Sequence, residues 1–133
     1  TKHLTKPIRA ICFIVLAFLM TLSSPVMAGA FERGLAAAEA GDFELAFQEW
    51  RFGSVIGDVN SQYNLGIMYI NGDGVLEDYI MAHMWSNIAA ANGSENGRTN
   101  RDRIAKIMTT ADISKAQAKA RECMNSGYTK CGY

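Results

Sequence analysis

Residues 61–93 read SQYNLGIMYINGDGVLEDYIMAHMWSNIAAANG, and this stretch decides the fold. Its first part, Ser61 to Ile70, sets Leu65, Met68 and Tyr69 at the spacing of one helix face. Gly66 lies inside that helix, where glycine costs about 1 kcal/mol against alanine, so close approach of a neighbouring helix is expected there. The turn NGDGV follows. Gly72 and Gly74 accept positive φ without a Cβ penalty and can end one helix and reverse the chain. Asp78 is a good N-cap for a second helix. Along it Ala82, Trp85 and Ala89 recur at i, i+3 and i+7, with Ile88 at their border. Small side chains at 82 and 89 let the two backbones close up while Trp85 covers the gap. Gly93 ends the helix.

Upstream the same pattern returns in shorter form. FERGLAAAEA, residues 31–40, reads as a helix, Gly41-Asp42 as a break with Asp42 as the next cap, and Phe43 to Ile56 as a second helix. Phe43, Ala46, Phe47 and Trp50 share one face of it, and Gly57 ends it. Asp42, Ala46 and Gly57 each precede Asp78, Ala82 and Gly93 by 36 residues. A fixed period of this size is the mark of stacked helical hairpins. The first unit lacks the NGDGV turn and is degenerate. Downstream, SENG (94–97) reads as a linker, Arg98 to Met108 as a helix with Ile104, Ile107 and Met108 inward, and Thr109 as an N-cap with Asp112 completing an approximate capping box. Ile113, Ala116, Gln117, Ala120 and Met124 carry the helical spacing to about Asn125.

Leu65-Gly66, Tyr69, Gly72, Gly74-Val75, Asp78, Ala82, Trp85, Ala89-Ala90 and Gly93 match, in order, the pattern of a Sel-1-like repeat, a branch of the tetratricopeptide-like helical solenoids. Ser61, Met81 and Ser86 depart from the family's common alanine, lysine and aromatic, and read as surface or tolerant substitutions. The 36-residue period, longer than the tetratricopeptide period of about 34, agrees with this resemblance. Residues 98–125 resemble the C-terminal capping helices of bacterial envelope members of the family, and supply the polar end that a solenoid requires. The expected architecture is an all-α, α/α solenoid of about three antiparallel hairpins. Its units are residues 1–28 as a signal peptide, 29–57 as a degenerate repeat, 58–93 as a full repeat and 94–133 as the cap.

Lys2, Lys6 and Arg9 precede an apolar run from Ile11 to Leu22, too short for a comfortable membrane span, and Val26-Met27-Ala28 has the small residues of a cleavage site. This is a secretory signal pattern; the alternative is an uncleaved anchor. Cys12 lies inside the apolar run and leaves with it. In the exported chain Cys123 and Cys131 remain, and they are expected to form a disulfide closing a short loop, the alternative being a metal site that lacks histidines.

Net charge is zero overall but unevenly placed. Residues 29–97 carry ten acids against Arg33 and Arg51, a net of −8; residues 98–133 carry eight basic residues against three acids, a net of +5. The uneven placement suits two solvated surfaces, ends that meet in head-to-tail contacts, or a basic end that touches an acidic partner. The search for chemistry yields no catalytic, cofactor or metal residues. His83 is the one histidine after the signal and reads as a surface or boundary residue. No nucleophile elbow occurs. Gly72 and Gly74 lie between helices rather than after a strand, and Asp73 lacks a calcium loop's ligand spacing. The basic segment has few interleaved aromatics, which speaks against nucleic acid.

The resemblance implies a non-enzymatic scaffold or adaptor whose concave groove receives an unknown protein or peptide, in the periplasm or outside a bacterial cell, with no cofactor. One rival is a weak β-lactam-binding or hydrolysing enzyme. Relatives of that type carry a cysteine pair in each repeat, and residues 31–93 contain no cysteine. The other is a self-assembling structural envelope protein whose association is salt-sensitive.

Overall fold

A computed structural model describes residues 29–132, so the expected signal peptide and Cys12 lie outside the described residues. Within them the chain forms six helices and no strand: α1 (Ala30–Glu39), α2 (Phe43–Val55), α3 (Val59–Asn71), α4 (Tyr79–Ala91), α5 (Glu95–Ala105) and α6 (Thr110–Asn125). Polar caps start five of them. The side chains of Asp42, Asp58, Asp78, Ser94 and Thr109 each accept from the backbone N–H three residues on. Each helix packs on the next from α1 to α5, so the chain is an α/α solenoid. First helices of successive pairs also touch, α1 with α3 and α3 with α5.

The core is centred on α4. Leu65 and Tyr69 of α3, Ala82, Trp85 and Ile88 of α4, Ile104 of α5, and Ala120 and Cys123 of α6 make one cluster. A second cluster of Ala37, Ala46, Trp50 and Met68 holds the first pair to α3. Gly66 meets α4 as expected: a Cβ there would lie 2.7 Å from Ser86 Oγ and 3.3 Å from the Ala82 carbonyl oxygen. The turn is also as expected. Gly72 (φ 70°) ends α3 with its N–H on the Met68 carbonyl, and Gly74 (φ 68°) lies against the Phe43 backbone, where any side chain would collide.

Several readings change. Ser61, Met81 and Ser86 are buried, not surface, positions. Ser61 packs into the space left by Gly53, and Ser86 fills the space left by Gly66 and accepts a hydrogen bond from Asn100 Nδ2 at 2.8 Å. Residues 95–97 are no linker but the first turn of α5. Gly97 is buried there because a Cβ would sit 2.8 Å from Ala89 Cβ and 3.0 Å from the Ser86 carbonyl oxygen. Ile107 is exposed because α5 has already ended at Ala105, and Phe43 is exposed at the first position of α2. Gln117 faces outward beside buried Ala116 and Ala120.

The third pair is open. α6 packs on α4, as α5 does, and makes no comparable contact with α5. Beyond α6 the tail turns back through Gly127 (φ 63°) and Tyr128 (φ 67°), the latter a rare conformation for a residue with a Cβ. Two bonds hold Tyr128: its N–H donates to the Cys123 carbonyl, and its hydroxyl accepts from Asn92 Nδ2 at 2.9 Å. Asn92 Nδ2 also donates to Gln62 Oε1, and Gln62 Nε2 donates to the Ser54 carbonyl. A single polar chain thus runs from α2 to the tail. The sulfurs of Cys123 and Cys131 lie at bonding distance, with Cα atoms 4.4 Å apart.

Candidate functional site

The 36-residue period extends beyond the residues that first show it. Asp58 and Ser94 are equivalent caps, and the Gly53–Ser61 contact between the first two pairs is equivalent to Ala89–Gly97 between the next two. The shift also aligns the outer faces of α2 and α4. Leu45, Gln48 and Phe52 of α2 correspond to Met81, Met84 and Ile88 of α4.

On α4 this face is covered. Met81 is 8% exposed, and Met84 and Ile88 are fully buried in the cluster that contains Ala120, Cys123 and Cys131. On α2 it is open. Leu45 is 43%, Phe52 54% and Ile56 64% exposed, and their spacings of seven and four residues put them on one stripe. Beside the stripe a shallow hollow of about 280 Å³ is lined by Gln48, Arg51, Phe52 and Val55. The opposite face of α2 is spent inside the stack: Ala46, Trp50, Gly53 and Ser54 are buried, and Trp50 Nε1 donates to the Phe31 carbonyl at 3.1 Å.

Charge flanks both faces. Glu77 and Asp78, at the start of α4, share a groove of about 570 Å³ with Lys115 and Lys119 of α6 and with Gly132 of the tail. Asp42 and Glu44 stand at the corresponding start of α2. Arg98, Thr99, Asp102 and Arg103 of α5 and Lys106 at its C-cap surround a second shallow groove. Arg98 there pairs with Glu95 at 2.6 Å, and Arg101 pairs with Asp102 at 2.9 Å.

His83 is buried, against the expectation of a surface or boundary position. Burial pushes its pKa below the ordinary 6.5, and nearby Arg101 adds to this while Asp102 opposes it. Its Nδ1 has no hydrogen-bond partner among the described residues. Among those residues no three His, Cys, Asp or Glu side chains converge as metal ligands, and no helix is long and apolar enough to cross a membrane.

The repeat-defining residues are structural. Leu65, Tyr69, Ala82, Trp85 and Ala89 are buried, Gly66 seats α4, Gly72, Gly74 and Gly93 have positive φ, and Asp78 caps α4. The open stripe on α2 is absent from the sequence reading, which followed only the inward face of that helix. Its signal was available in the same period: shifting Met81 and Ile88 back by 36 residues lands on Leu45 and Phe52.

No curated protein sequence matches the chain. The family model described as Sel1 repeat matches residues 59–94, which span α3, the glycine turn and α4. Sel1 repeats generally mediate protein–protein interaction. The hairpin of α3 and α4 is thus similar to a Sel1 repeat, and it is set within a stack of helices.

Proposed function

We propose that this protein is an exported, non-enzymatic interaction module that holds a segment of another protein. The observation that carries the reading is the open apolar stripe of Leu45, Phe52 and Ile56 beside a Sel1 repeat whose equivalent face is fully covered. A stripe of three large apolar side chains at helical spacing is a surface for association. Export rests on the basic, apolar and small-residue segments within residues 1–28, with cleavage near Gly29 and delivery to the periplasm or the medium of a bacterium. A disulfide between Cys123 and Cys131 suits an oxidising compartment.

The test is site-specific photo-crosslinking from position 48, which is exposed at the edge of the stripe, in cells expressing the full chain. One discrete adduct in the envelope or secreted fraction is expected. Uniform failure to crosslink there, or turnover of a chromogenic lactam by the purified protein, would overturn the reading.

The charge division supports a second reading, self-association with the acidic half of one copy against the basic half of another. Light scattering at low and high salt separates the two, since screening dissolves such contacts.

A further inference from the structure

The chain already carries a pattern for a helix that fits the open stripe. On α4 the face built from Met81, Met84 and Ile88 is occupied by a helix, α6, whose packed side is small and apolar, with Ala116 and Ala120 fully buried. That helix brings Lys115 and Lys119 to the acidic start of α4, where Glu77 and Asp78 lie. On α2 the aligned face carries Leu45 and Phe52 with Gln48 between them, Ile56 extends it at the C-cap, and its start is acidic again, with Asp42 and Glu44. Among the described residues, the one element missing there is the covering helix.

Resting on the interaction-module reading, we propose that the Leu45–Phe52–Ile56 face of α2 docks an amphipathic helix of a partner protein, apolar on one side and bearing lysine or arginine at the end that meets Asp42 and Glu44. Charge complementarity selects the class. The −8 balance of residues 29–97 opposes an acidic helix and attracts a basic one. The apolar side fills the stripe and the hollow between Phe52 and Val55, and water leaves Phe52 and Ile56. A helix suits the site better than an extended strand, because the described residues offer no sheet edge for it to join.

The experiment titrates the chain from Gly29 onward with a synthetic α6 peptide, residues 109–125 with Cys123→Ser, stapled between the exposed positions 114 and 118. Methyl and aromatic NMR signals report the contact. Shifts are expected at Leu45, Phe52 and Ile56. Phe52→Asp in the protein, or Lys115→Glu with Lys119→Glu in the peptide, is expected to weaken binding about tenfold or more. The loss from the charge-reversed peptide shrinks in high salt.

Four results overturn the proposal. They are no shift up to about 1 mM peptide, shifts confined to Met81, Met84 and Ile88 through exchange with the chain's own α6, equal binding by the charge-reversed peptide, and a homodimer already sealed through Phe52. The first three leave the interaction-module reading standing, since crosslinking from position 48 and the lactam assay test it separately; the fourth favours the self-association reading instead.

Discussion

α2 and α4 are aligned residue for residue by one period, yet one outer face is sealed and the other bare. The inward halves are alike: Ala46 and Ala82 are both fully buried, and Asp42 and Asp78 both cap. The outer halves differ because the chain takes a different course after each helix. After α2 it passes straight into α3, which takes the next place in the stack. After α4 it passes into α5, and then α6 departs from the hairpin pattern and lies on α4. A repeat therefore builds an apolar outer face whether or not a cover is supplied, and in the first pair the described residues supply none.

The sharpest way to break this comparison is to place the same charge at aligned positions. Ile88→Asp should cost about 3–5 kcal/mol by leaving an unpaired carboxylate in the sealed face. Phe52→Asp should change stability by no more than about 0.5 kcal/mol, as at other exposed sites. Urea denaturation of both variants decides it, and equal losses would mean that the stripe is covered within the chain.

Next in size is the fastening of the cover. With a bond between Cys123 and Cys131, eight residues apart, Cys131→Ser opens the loop and should lower stability by about 2–3 kcal/mol, on the loop-entropy estimate. If the two sulfurs are bonded, a reductant should reproduce the loss in the wild type and leave the variant unchanged.

A third pair of variants sharpens the likeness of the seams. Gly53→Ala pushes a methyl group into Ser61, and Gly97→Ala pushes one into Ala89 and the α4 backbone. Each should lose about 1–3 kcal/mol from overpacking, and thermal melts should rank them close together. A harmless Gly97→Ala would show that α5 has room to move outward.

The smallest effect is a pH dependence that arises on α4 at His83 and has no counterpart on α2, where Phe47 stands at the aligned position. His83 is held below its ordinary pKa of 6.5 by burial, with Arg101 adding to the effect. As pH falls through 6.5 the unfolded chain takes up a proton that the native state refuses, so stability declines until the native pKa is passed. His83→Leu should remove that part of the decline, measured as the difference between the two stability profiles from pH 8 to about pH 5. Identical profiles would place His83 in water.

The hairpin of α3 and α4 was legible because its signals are local. Asp78 caps, Gly72 and Gly74 turn, and Leu65, Met68 and Tyr69 repeat on one face. The shared period was legible for the same reason. The features that escaped depend on neighbours far along the chain. Ser61 and Ser86 are small and polar, and only the glycines opposite them, Gly53 and Gly66, show that they are core. Gly97 imitates a linker because glycine marks both a loop and a close approach. The burial of His83 and the placement of α6 on α4 come from packing between elements, which periodicity within one element does not record.

Repeat stacks commonly lose their end units one at a time, since each unit touches only its neighbours. The amide of Asn92 works against that here. It reaches forward to the Tyr128 hydroxyl and back to Gln62, which in turn holds the Ser54 carbonyl. Peeling away the tail therefore strips a bond from the middle of the molecule and disturbs the seam with the first pair. Hydrogen exchange should find the last turn of α4 and the start of α3 opening together with the tail, as one cooperative event.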